Sequence, residues 1–171
     1  MYETEQDLVQ LQALLNVSYE RAGGHLRSIF SPELRLSAAE LANTLTGMQL
    51  LSLATVTRAC EPRVGPVDGL FYRGHFWFGS SEDSVRFGHI RQRPQVSATH
   101  TRGEDLAVVV HGRAYIAATV ASLAGGSDPD WAGFARYAVE VYGKGWLNWN
   151  AAASYARIEA GTMFASRLPE G

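Results

Sequence analysis

The sequence predicts a mainly β fold with helices: a small antiparallel barrel with helical decoration. Two observations carry this. Helical spacing of apolar residues is confined to the first 48 residues and to a stretch near 129–143. Between and after them run roughly six or seven short strand-like segments, separated by compact turn signals.

Within residues 5–30, Leu8, Leu11, Leu14 and Leu15 recur at helical spacing, and Gly23-Gly24 interrupts or ends the helix. A second helix follows Ser37, because Ser37-Ala38-Ala39-Glu40 fits a capping box; Leu41, Leu45 and Met48 give it an apolar face. From Leu50 the period changes. Leu51, Leu53, Thr55 and Thr57 alternate with Ser52, Ala54 and Val56, as in a strand buried on both faces. Arg58-Ala59-Cys60-Glu61 reads as a hairpin turn, and Pro62 to Asp68 as the returning strand. Leu70–Tyr72 and His75–Phe78 form a hairpin around Arg73-Gly74. A serine-rich turn opens a short helix from Asp83 to Arg91, which stops before Pro94. Gln95–Thr101 and Asp105–Ala117 are further strands. After a loop at Gly125–Pro129, Asp130 is placed to cap a helix to about Tyr142, with Trp131, Phe134, Tyr137, Ala138 and Val141 on its apolar side. A last strand pair runs Tyr155–Glu159, turns at Gly161 and returns through Met163–Ala165.

At 171 residues the expectation is a single domain: a helical extension over 1–48, then a barrel over 49–171 with a helical insertion near 129–143. A net charge of −2 gives no general attraction to nucleic acid or anionic membrane. No apolar run approaches the roughly 18 residues that span a bilayer. The acidic N-terminus lacks a secretory pattern, which points to a cytoplasmic protein. One cysteine, Cys60, rules out an internal disulfide and a cysteine-based zinc cage. His25, His75, His89, His100 and His111 show no metal-binding spacing, so no metal is expected. No catalytic acid, base or nucleophile is identifiable.

The chemistry-bearing stretch is Leu51–Val96. Its hydroxyl-rich turn at Ser80, Ser81 and Ser84 opens the helix that carries Arg86, an arrangement suited to phosphate, and the preceding strands make a wall for something flat. Each residue also has a plainer reading. Ser80, Ser81 and Ser84 could be helix caps, Arg63 an exposed strand arginine and Arg86 a surface arginine. His100 and His111 lie on strands that could face a pocket. Trp131, Tyr137, Trp146 and Trp149 fit core and dimer packing, or a wall over a ligand.

Three motifs, Pro62-Arg63-Val64-Gly65-Pro66-Val67, Gly79–Arg86 with His89-Ile90 and Pro94-Gln95-Val96, and Val108–Ala114, resemble the FMN-binding split-barrel superfamily typified by pyridoxamine 5′-phosphate oxidases. The resemblance covers about residues 45–117, and 153–166 loosely. It implies a split antiparallel β-barrel holding FMN at Arg63, Val64, Pro66, Val67, Ser80, Ser81, Ser84 and Arg86. It implies a homodimer with the cofactor between subunits, and the Leu106–Gly112 strand approaching from the second chain. Some positions depart from the oxidase pattern. Arg86 replaces a lysine, Asp68 stands in place of a cation, and Ala107 replaces a glutamine. The C-terminal arginine–histidine substrate motif is missing from Tyr155–Gly171. The resemblance therefore points past pyridoxamine phosphate oxidation to the wider group of reductases using FMN or an 8-hydroxy-5-deazaflavin coenzyme on a small organic substrate. Haem-binding members of that group leave a second reading, a non-catalytic haem, flavin or tetrapyrrole binder.

Overall fold

The computed structural model describes residues 2–120, 126–146 and 153–168. Helices α1 (Glu5–Arg21), α2 (Gly24–Ile29) and α3 (Ala38–Thr44) precede strands β1 (Met48–Val56), β2 (Pro62–Tyr72) and β3 (His75–Ser81). Helix α4 (Val85–Gln92) leads to β4 (Gln95–Arg102) and β5 (Leu106–Thr119), and α5 (Trp131–Tyr142) to β6 (Ala153–Arg167). The strands close an antiparallel barrel in the order β1-β2-β3-β6-β5-β4. No helix among the described residues is long and apolar enough to cross a membrane.

Local chemistry explains the helix boundaries. Thr4 with Asp7, and Ser37 with Glu40, form complete capping boxes that satisfy the first amides of α1 and α3. Helix α3 ends before the residue expected to extend its apolar face. Gly47 takes a left-handed φ of 74°, its N–H donates to the Tyr137 hydroxyl at 2.9 Å, and Met48 starts β1 with its side chain exposed.

Strand β1 is buried on one face only. Gln49, Leu51, Leu53 and Thr55 point into the barrel, while Leu50 and Ser52 face outward. The segment covered on both faces is the β2–β3 hairpin. Phe71, Phe76 and Phe78 enter the interior; Leu70, Tyr72 and Trp77 pack under α5. Its tight turn places both Arg73 and Gly74 at positive φ, as a two-residue hairpin of right-handed twist requires.

Two predicted breaks are absent. Gly69 lies mid-strand, paired with Gln49 and Phe78, so β2 is continuous. Strand β6 does not turn at Gly161. Ala160 opposes Gly112 and Thr162 opposes His111, so Gly161 is the extra residue of a bulge in one long strand. Asp130 precedes α5 but its side chain caps nothing; it pairs with Arg73 and Arg157.

The barrel wall opens in two places. β2 and β3 pair only from Gly69 to Tyr72, so β2 before Gly69 pairs with β1 alone, and Gly79–Ser81 pairs only with β6. Beyond Arg157, β6 in turn has no β3 partner, and the N-terminal elements cover its backbone. The Met163 N–H donates to Ser18 Oγ at 2.9 Å. Tyr19 Oη accepts from the Ala165 N–H at 2.9 Å and donates to its carbonyl at 2.7 Å.

Candidate functional site

Where β2 and β3 part, a cavity of about 780 Å³ opens, a size ordinary for small-molecule sites. Pro66, Val67 and Asp68 line it from β2, and Gly79, Ser80 and Ser81 from β3. The opposite wall is Tyr142, Gly145 and Trp146 at the end of α5, with Ala153 and Tyr155 of β6.

Arg86 reaches this cavity from the first turn of α4. Ser84 caps that helix, accepting from the Phe87 N–H at 3.3 Å, while Phe87 and Ile90 anchor its buried face. The Arg86 guanidinium donates to the Pro66 carbonyl at 3.0 Å, a group that the parted β3 does not reach. Burial pulls Arg86 below the ordinary arginine value, and no acidic side chain pairs with it among the described residues. Arginine remains charged throughout the accessible pH range. A half-buried cation without a carboxylate partner among the described residues thus stands over the cavity, with the chemistry to pair with an anion.

The aromatic wall is tightly fixed. Trp146 Nε1 donates to the Tyr155 hydroxyl at 2.6 Å, and the rings meet edge to face at 5.3 Å. Tyr155 also lies against the β3 backbone because residue 79 is glycine; a β-carbon there would sit 2.7 Å from its ring. Burial, reinforced by the Asp68 charge, holds both the Tyr142 and Tyr155 phenols above the usual range. Both are neutral donors at physiological pH.

Of the residues expected in the site, Pro66, Val67, Ser80, Ser81 and Arg86 meet at the cavity. Ser84 stands one step back as the helix cap. Arg63 and Val64 lie further along β2, outside the cavity. Arg63 is exposed and paired with Glu61 at 2.8 Å, and Val64 is 73% exposed. None of the histidines lines the cavity. His89 Nδ1 bonds the Thr55 hydroxyl at 3.0 Å, His100 Nδ1 the Leu50 carbonyl at 3.0 Å, and His111 Nδ1 the Ser97 hydroxyl at 2.8 Å. Among the described residues, no group of His, Cys, Asp and Glu could hold a metal ion. Trp149 and Gly125 fall outside the described residues. Tyr142 and Tyr155 were not singled out from sequence as lining residues. The tryptophan-rich composition of the C-terminal third was their only signal, and it does not separate a ligand wall from a core.

No protein-family model matches the chain. No curated protein matches it either. Solved structures match its fold. A conserved hypothetical protein from Mycobacterium tuberculosis superposes with a TM-score of 0.64 at 18% identity, over 82% of this chain and 93% of the other. A haem storage protein from Vibrio cholerae gives 0.58 at 15% identity, covering 80% and 94%. An F420 reductase gives 0.53 at 13% identity, covering 71% and 93%. The fold is the split β-barrel of the pyridoxamine 5′-phosphate oxidase type.

Proposed function

We propose that this protein is an oxidoreductase that binds FMN or an 8-hydroxy-5-deazaflavin coenzyme and works on a small organic substrate. The observation that carries this is Arg86, a half-buried guanidinium with no carboxylate partner among the described residues, at the mouth of an aromatic-walled cavity. Arg86 would hold the cofactor's phosphate, with the Ser80 and Ser81 hydroxyls beside it. Ser84 orients Arg86 by capping its helix. The backbone of Pro66–Val67, without a β3 partner, offers polar groups to a ring edge. Trp146 and Tyr155 shield the cavity from water. When bound, such a cofactor supplies the hydride chemistry itself, so the protein's work is positioning and exclusion.

The lining residues argue against haem. Among the described lining residues none is a histidine, cysteine or methionine; the tyrosines Tyr142 and Tyr155 are the one residue type there that ligates haem iron, and burial holds both phenols protonated, although one structural neighbour stores haem. The same reading assigns a homodimer. The strand register sets Pro66, Ser52, Thr99 and Val109 in one outward row across β2, β1, β4 and β5. Leu50 and Val64 stand exposed on the same outer surface, 58% and 73% accessible. A second subunit docked there would bring its own Leu106–Gly112 strand toward the cavity edge.

Titration of the purified protein with FMN, a deazaflavin and haemin, followed by absorbance and flavin fluorescence, tests this reading. Tight flavin or deazaflavin uptake is expected. Arg86→Ala should weaken it about 30-fold, since a charge-assisted contact contributes about 2 kcal/mol. Unchanged affinity in that variant would overturn the phosphate assignment. A sharp Soret band without flavin uptake would move the protein to the haem class.

A further inference from the structure

The cavity has a second charged group, and its sign is opposite to that of Arg86. Asp68 lines the cavity from β2, on the same strand face as Pro66, whose carbonyl binds Arg86. The Asp68 carboxylate is exposed to the cavity and has no hydrogen bond and no ion pair among the described residues, so it is free to pair with a ligand. Tyr142, Trp146 and Tyr155 face the same space. Tyr142, 37% exposed, offers its ring to that space, while Trp146 and Tyr155, 4% and 7% exposed and hydrogen-bonded to each other, form a fixed backing behind it. The charge of Asp68 is felt by both tyrosines.

An unpaired carboxylate beside electron-rich ring faces is the chemistry that recognises an organic cation. The carboxylate supplies charge, and the rings supply quadrupole attraction and an apolar body. An anionic substrate would meet Asp68 as a like charge. With Arg86 held at the Pro66 carbonyl, two residues along the same strand, the cavity carries one group of each charge.

We propose that Asp68, with Tyr142 and Trp146, selects ligands bearing a positively charged nitrogen, a quaternary or protonated amine on an apolar body. That this ligand is the substrate rests on the oxidoreductase reading above; the preference for a cation does not.

The test compares choline with its carbon isostere, in which a tert-butyl group replaces the trimethylammonium. Each is titrated calorimetrically into the full chain, alone and saturated with FMN. We expect choline to bind about tenfold more tightly than the isostere. Asp68→Asn should abolish the difference, and Asp68→Lys should reverse it in favour of the neutral isostere, 3,3-dimethylbutanol. Asp68 is exposed and unpaired, so both variants should melt like the parent. Equal affinities for choline and the isostere, or a preference that survives Asp68→Asn, would overturn the proposal. A choline preference without FMN uptake would leave the cation site standing and remove the oxidoreductase reading. FMN uptake without a choline preference would do the reverse.

Discussion

Gly79 lets the aromatic wall of the cavity close onto β3. Its missing side chain lets Tyr155 lie on the β3 backbone, and the Trp146 hydrogen bond pins the ring there. In Gly79→Ala the new methyl would overlap the ring, which cannot retreat without breaking that bond. The expected outcome is a loss of about 1–3 kcal/mol in stability, typical of overpacking, together with weakened FMN binding as Tyr155 and Trp146 are forced into the cavity. Thermal melts and flavin titration of the variant check this. The same position shows where residue-by-residue reading stops. Gly79 sits inside a recognisable Gly-Ser-Ser turn motif, yet its purpose depends on a tyrosine 76 positions later (155 − 79), which only the β3–β6 pairing brings near. Arg86 and the serines were legible because a cap and a helix start are local signals.

The β2–β3 hairpin joins elements far apart in sequence through Arg73. Its guanidinium grips Asp7 of α1 at 2.9 and 3.1 Å and also pairs with Asp130, just before α5. Arg157 of β6 extends the network to Asp128 at 3.1 Å and Asp130 at 3.4 Å. Burial is the largest single influence on Asp7 and pushes its carboxyl up. Hydrogen bonds from Arg73 and Thr4 together outweigh it and hold the carboxyl below the usual carboxylate value. A carboxylate depressed in the folded state contributes stability that is present above its unfolded value, near 4, and is lost as pH falls through the folded one. Asp7→Asn should therefore cost about 2 kcal/mol at neutral pH. That difference should shrink below about pH 4, as denaturant melts over a pH series will show. Sequence placed Asp130 correctly at the start of α5 but read it as a cap. The competing partner, Arg73, sits on a turn whose proximity is a product of tertiary structure. Gly161 misled for a related reason: a glycine at a bulge and a glycine at a turn look alike until the partner strand is known.

The barrel as a whole was legible from its alternation of short strands and turns, and its helical extension from capping chemistry. What was not legible is which strand faces are covered. The β1 run reads as doubly buried, yet its outer side is open, with Leu50 exposed. If that surface is the subunit interface, the protein should sediment as a dimer, and Val64→Glu should shift it to monomer with the fold intact by circular dichroism. A monomeric parent would overturn the assignment. The N-terminal helices carry a different implication. Ser18 and Tyr19 occupy the backbone groups of β6 that a neighbouring strand would otherwise take. They therefore act as a guard against templating: a chain shortened to its β-rich portion would leave the Met163 and Ala165 backbone groups open to a strand of another copy.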